Sequence, residues 1–474
     1  MRALFSFLIF LMSSVITPSE EPAPIAIVHA TVINRHGIAS QADQTIIISG
    51  NKVLAEGPAD KIKVPKNAQV VDARGKFLIP GLWDMHVHIA GLNADPEWSK
   101  PVLLPLLLAN GIVGVRDMGG DLPTLQSWQK EIQAGSLVGP AIIASGPWLA
   151  GRGKKTREQI PVSNAEEARA AVRQIKASGA NFVKIISLPS RDAFFAVADE
   201  ARKQNIPFVG HLPFSVSALE ASNAGMKSIE HLFYSGFSIS VSSKEEELRP
   251  RLAEAEAKRD NAAWEAVVQE ANVTYSPAKA ATLAQAFKKN GTWLVPTLAS
   301  LEITSHPEYW SSEDPFLSFV SPALAAEWQA SANDDNVKRN AAWLARQTAN
   351  DGTLASALFH AGMPILAGSD SLDPFVFPGD SLYRELFELV RAGLTPLEAL
   401  QAATTAPEEY LRSLSDTAAN NFSGTAFVLL DADPLTDIAN TRKIAAVIYR
   451  GQFLDRTKLY SMLHEAKTAA ASVK

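Results

Sequence analysis

The sequence predicts an α/β fold, a (β/α)8 TIM barrel accompanied by a small β-sandwich domain that both termini build. Two observations carry this reading. Between residues 81 and 410, eight apolar strand-like runs alternate with helical patterns, the signature of parallel βα units. Strand-rich blocks at 21–80 and 411–460 flank that middle, and the middle is long enough for a barrel of about 250 residues plus insertions. The composition agrees: 474 residues, 47% hydrophobic and 20% charged, describe an ordinary globular chain.

The chain begins with Arg2 and an apolar stretch from Ala3 to Ile16, which gives way to a Pro- and Glu-containing segment at 17–22. This is the pattern of a cleavable signal peptide over residues 1–20, too short to serve as a stable membrane anchor. The expectation is an exported protein, periplasmic or secreted. Residues 25–34, 44–57 and 68–81 then read as strands, as do 425–434 and 444–454 near the other end. The barrel strands are expected at 82–89, 111–118, 140–146, 181–187, 207–212, 227–233, 292–298 and 364–370. Helical patterns at 165–180 and 191–205 separate some of them. A helical insertion is expected around 242–290; within it, 11 of the 17 residues from Lys244 to Asp260 are charged, a solvated helix or part of a lid.

With no cysteine, the chain can offer no thiolate nucleophile, disulfide, iron–sulfur cluster or Cys-held zinc. Any metal must be held by histidine, carboxylate or a less usual group. A net charge of −6 argues against a nucleic-acid partner.

Four of the nine histidines fall in or just after expected barrel strands, whose C-terminal ends form the active-site face of such folds. In His86-Val87-His88, strand alternation turns both imidazoles to one side, so that two nitrogen donors can meet one ion. Lys184 sits in the apolar run Phe-Val-Lys-Ile-Ile. It is either paired with a buried acid or snorkelling, or it is a neutral amine that has captured carbon dioxide as a carbamate, a two-oxygen ligand able to bridge metals. His211 and His231 follow at spacings that suit successive strands. Asp370, on the eighth strand, can ligate a metal and carry a proton, or can act as a turn aspartate. Together these six groups converge as one candidate site.

The segments PGLWDMHVH (80–88), GANFVKI (179–185), GH (210–211), IEH (229–231) and GSD (368–370) resemble the amidohydrolase superfamily in its binuclear, carboxylated-lysine branch. GIVGVRDMGG (111–120) and GPAIIASG (139–146) are similar to its imidazolonepropionase-like and Xaa-Pro dipeptidase-like subgroup. The resemblance implies two divalent ions, zinc first among the candidates. His86, His88 and Asp370 would hold the more buried ion, His211 and His231 the other, and carbamylated Lys184 would bridge both. It further implies hydrolysis of an amide bond in a small molecule, a dipeptide or N-acyl amino acid, by a metal-bridging hydroxide, with Asp370 as catalytic proton carrier. Imidazolonepropionases themselves use one metal and no bridging lysine, so Lys184 points away from that activity. The chain departs from the family pattern at Gly424-Thr-Ala-Phe before the final strands, and at Tyr383, where many relatives carry a histidine.

Arg116, Tyr234 and Tyr383 are the candidates for holding a substrate carboxylate, the alternatives being a buried structural role beside Asp117 for Arg116 and rim packing for the two tyrosines. The same metal pair also suits an esterase, a lactonase or a phosphotriesterase, and a non-catalytic scaffold is the reading from a different class. A homo-oligomer is compatible with everything above.

Overall fold

The computed structural model describes residues 23–473 apart from 92–93, 152, 187–189, 233–235, 333 and 415–424. The expected signal segment at 1–20, Tyr234 and Gly424 lie outside the described residues.

Both ends of the chain contribute to a single eight-stranded sheet. Its N-terminal strands are β1 (Ile25–Arg35), β2 (Ile38–Ser49), β3 (Lys52–Pro58), β4 (Gln69–Asp72) and β5 (Phe77–Pro80). The sheet forks at β1, which pairs in parallel with β4 through Ile25–Val28 and with β5 through Thr31 and Val32. Every second residue turns inward: Ile25 and Ile27, Ile46 and Ile48, Phe427 and Leu429, and Ala446 and Ile448 share one apolar cluster.

The middle of the chain is α/β with parallel strands. One sheet runs β6 (Leu82–Val87), β7 (Ile112–Asp117), β8 (Ala141–Ala144). The other contains β9 (Trp148–Ala150), β10 (Gln159–Pro161), β11 (Val183–Ile186), β12 (Phe208–Gly210), β13 (Ser228–Glu230) and β14 (Trp293–Val295), in the order β10-β9-β11-β12-β13-β14. The sheet of the chain ends is completed by β15 (Phe427–Leu430), β16 (Ile444–Tyr449) and β17 (Gln452–Asp455). There β15 lies antiparallel to β5, stitching the C-terminal strands to the N-terminal ones. The parallel strands are almost wholly buried, as strands covered on both faces must be.

The eighth expected strand is held by isolated bridges, Leu294 with Ile365 on one side and Val87 with Ser371 on the other. Further bonds run from Met85 N–H to Ala367 O at 3.0 Å and from Asp370 N–H to His86 O at 2.8 Å. Gly368 permits this approach, because a Cβ there would stand 2.7 Å from the Cβ of His86. At Asp370 the backbone turns to a φ of 54°, which ends the extended run.

The insertion forms three helices, Glu245–Lys258, Asn261–Val273 and Pro277–Asn290. The charged first helix is not solvated all round: Leu248 and Leu252 pack with Ile239, Val267 and Val268, and Phe214 and Trp264 lie against the cluster. A second helical excursion, not expected from the sequence, separates β14 from Ile365 and includes the helix Asp335–His360.

Candidate metal centre

Strand alternation places His86 and His88 on one side of β6, with ring centroids 5.5 Å apart. The Nδ1 atom of His86 lies 2.9 Å from Glu230 Oε2. That of His88 lies 3.1 Å from the carbonyl of Gly119. Carboxylate and carbonyl oxygens only accept, so Nδ1 carries the hydrogen in both rings and Nε2 keeps its lone pair. His231 follows the same rule. Its Nδ1 is 2.6 Å from Thr297 Oγ1, whose own hydrogen goes to Pro296 O at 2.8 Å. Both His231 and Thr297 follow strand ends in the left-handed region, at φ 59° and 51°, a conformation that concentrates at functional sites.

The three Nε2 atoms meet at Asp370. Oδ1 of Asp370 lies 3.3 Å from His86 and 3.6 Å from His88, and Oδ2 lies 3.8 Å from His231. The His211 ring completes the group at 4.9 Å from that of His231. It is placed by Gly210, where a Cβ would strike Ile185 O at 2.1 Å and φ is 128°. Lys184 is buried in β11, within electrostatic reach of Glu230 and Asp370.

These residues fit a metal ion. The Nε2 of His86 is buried and has no hydrogen-bond partner among the described residues. Ligand atoms of His86, His231 and Asp370 all lie within 4.8 Å of one another. Burial, followed by the Lys184 charge, holds His86 and His211 well below the usual imidazole range, which keeps them neutral as metal ligands must be. Burial also lowers His231. For His88 the lowering by burial is outweighed by the Asp370 carboxylate, and its pKa rises. Burial alone would raise Asp370, but His231, His88 and Lys184 hold it at about 2. Burial draws Lys184 down to about 8, against the pull of Glu230 and Asp370.

A profile of the amidohydrolase family matches residues 77–453. The chain belongs to the amidohydrolase family. Among curated relatives, ochratoxinase of Aspergillus niger is 24% identical over 444 residues, covering 81% of this chain and 76% of its own. A solved structure of a bottromycin amidohydrolase matches with a TM-score of 0.69 at 22% identity, over 95% of this chain and 91% of that one. A Xaa-Pro dipeptidase with methionine bound in its active site matches at 0.64 and 18%, over 91% and 100%. At such identities the structural likenesses speak for the fold.

For an amidohydrolase-family enzyme the six expected ligands are well grouped, but the substrate candidates are not. Arg116 is fully buried, with Nη2 2.9 Å from both oxygens of Glu230, Nη1 bonded to Ser228 and Tyr410, and Nε donating to Met85 O. With its donors committed and no exposed surface, it supports Glu230, and through it His86, instead of meeting a substrate. Tyr383 is also buried, its hydroxyl donating to Asn110 O and its ring beneath the Arg442 guanidinium, so it does not form a substrate rim.

Sequence reasoning missed Glu230 and Thr297, and as the structural companion of Arg116 it offered, in place of Glu230, Asp117. The last accepts from Ile89 N–H at 2.8 Å and Gly119 N–H at 3.1 Å, pinning the turn after His88. A signal for Glu230 was present, since an acid inside the apolar run KSIEHLF is as costly as the lysine of FVKII unless it has a partner.

Proposed function

We propose that the protein is a metal-dependent hydrolase that cleaves an amide (C–N) bond of a small molecule such as a dipeptide or an N-acyl amino acid. The observation that carries this reading is the convergence of three Nε2 lone pairs on Asp370, with His86 Nε2 buried and without a hydrogen-bond partner among the described residues. Family membership supports it, as do structural neighbours named as an amidohydrolase and a dipeptidase.

His86, His88 and Asp370 would hold one divalent ion, and His211 and His231 a second, zinc being our choice for both. When bound, such ions lower the pKa of water and polarise a carbonyl. Lys184 would serve both ions as a carbamate. Its amine nitrogen bonds to the carbon of carbon dioxide and one proton leaves, so that R–NH2 and CO2 give R–NHCOO− and H+. Burial that draws Lys184 to about 8 favours the free amine this needs. Asp370, ionised at neutral pH, can take a proton from the attacking water and deliver it to the leaving nitrogen.

The accompanying fold reading is a (β/α)8 barrel. Bonds from 365–371 to both β14 and β6, and from Asn181 N–H to Ala144 O at 2.9 Å, support joining the two parallel sheets into one ring. We also infer export, on the strength of Arg2 and the apolar stretch Ala3–Ile16.

Elemental analysis of purified protein, with turnover measured on matched amide and ester substrates, tests the proposal. About two ions per chain and chelator-sensitive amide cleavage are expected. No bound metal after reconstitution with zinc and bicarbonate, or hydrolysis of esters alone, overturns it.

A further inference from the structure

The ligands differ in how firmly they are held. His86, His88 and His231 each have Nδ1 anchored by a buried or backbone oxygen. Among the described residues the imidazole of His211 has no such anchor, so its position depends on the backbone that carries it. That backbone is the end of β12, where His211 N–H bonds to Ile185 O at 2.9 Å and Gly210 pairs with both Ile185 and Ile229.

Just beyond it, the insertion takes hold. Arg249, on the helix Glu245–Lys258, donates from Nη1 to the carbonyls of Phe214 at 3.2 Å and Val216 at 2.9 Å. These residues follow His211 closely on the same loop. The other arm, Nη2, donates to Ser240 Oγ at 3.0 Å and to Glu245 Oε1 at 2.5 Å. Ser240 ends the short helix Phe237–Ser240 that follows His231, and Phe237 N–H bonds back to Leu232 O at 3.2 Å. Ser240 Oγ also receives the N–H of Ala218 at 2.9 Å, tying the two loops directly. Beside this junction the Phe214 ring packs with Leu252 and Trp264. One guanidinium thus fixes the loop after His211 to the short helix Phe237–Ser240, while nothing comparable links it to β6 or Asp370 among the described residues.

We infer that Arg249 is a positioning residue for the His211–His231 pair, and that the helical insertion is the clamp that sets the affinity of the second metal ion. This rests on the two-ion reading above. It separates the two ions physically: His86 and His88 come from one strand and its end, whereas His211 and His231 stand at the ends of β12 and β13, whose following segments Arg249 joins.

The test is metal affinity, measured by zinc titration against a competing chelator, in wild type, Arg249→Met, Arg249→Lys and Ser240→Ala. Arg249→Met should weaken one ion roughly tenfold or more and leave the other at its wild-type affinity, in line with the effect of removing outer-shell support. Arg249→Lys, which keeps a donor, should recover part of the loss. Ser240→Ala, which removes one anchor and a single hydroxyl, should show a smaller loss on the same ion and covers the case that Arg249→Met fails to fold. Equal weakening of both ions, or a lowered melting temperature with both affinities unchanged, overturns the inference. A wild-type chain that binds only one ion overturns instead the binuclear reading on which it rests.

Discussion

Replacing Glu230 by glutamine probes the support beneath the candidate metal centre with a change of a single atom type. Three donor groups converge on this carboxylate: Arg116 Nη2 at 2.9 Å from both oxygens, Ser228 Oγ at 2.5 Å from Oε1, and His86 Nδ1 at 2.9 Å from Oε2. An amide has one accepting oxygen, and its NH2 must face at least one of those donors. The substitution also leaves the Arg116 guanidinium, which has no exposed surface, without its counter-charge. Removing one partner of a buried pair costs about 3–5 kcal/mol, and the donor facing a donor adds to that. Two readouts follow. Urea unfolding of the metal-free protein should show a loss of that size. Zinc titration should show affinity lowered roughly 10–100-fold, because His86 loses the group that fixes its tautomer. A variant within about 1 kcal/mol of wild type and with unchanged zinc affinity would refute the view that Arg116, Glu230 and His86 act as one chain, since the cited cost of breaking a buried pair is several times larger.

Asp370→Asn should lower amide turnover by roughly 10²–10⁴-fold, the usual yield of general acid–base catalysis, while circular dichroism remains that of wild type. Gly210→Ala should destabilise the metal-free protein by about 3 kcal/mol, because φ 128° disfavours a side chain and the new Cβ meets Ile185 O at 2.1 Å; an unchanged melting temperature contradicts this. The pKa of Lys184, about 8 in the fold, lies below its ordinary value of 10.5. Between those values the folded state binds fewer protons than the unfolded chain, so the lysine's contribution to metal-free stability rises with pH, by up to about 3 kcal/mol. The stability difference between wild type and Lys184→Met, compared at about pH 7.5 and about pH 10 in excess chelator, reads that slope. A difference independent of pH excludes it.

How far the sequence foretold the site depends on which physical rule each residue obeys. His86 and His88 were legible because a two-residue period is a local property of strands. Lys184 stood out because an ammonium in an apolar run demands an explanation. Their partners were hidden for the opposite reason. Thr297 serves His231 across 66 positions, and only because its own backbone turns to φ 51°, which no local pattern announces. Arg116 was read as either a substrate contact or a buried structural residue, and its role is set by Glu230, on a strand four places further along the barrel order that the sequence predicts. Among the strands, 364–370 was found as an apolar run, yet it survives as bridges instead of a ladder, because Gly368 and Asp370 shape it for contact with His86. The charged helix Glu245–Lys258 gave no sign of Arg249's reach, since alternating charges look alike whether they face water or a neighbouring loop.

The pairing of β5 with β15 bears on how the protein comes into being. Phe77–Pro80 leaves the ribosome long before its partner Phe427–Leu430 is made. Until then the early strand keeps an open hydrogen-bonding edge, of the kind that recruits strands from other chains. The same delay governs the candidate metal ligands, since Asp370 is made long after His86. Contacts this distant in sequence form slowly. A ribosome that stops between Asp370 and Phe427 therefore releases a chain with every candidate ligand in hand and an adhesive edge beside them, so truncation there should reveal itself as aggregation before it reveals itself as lost catalysis.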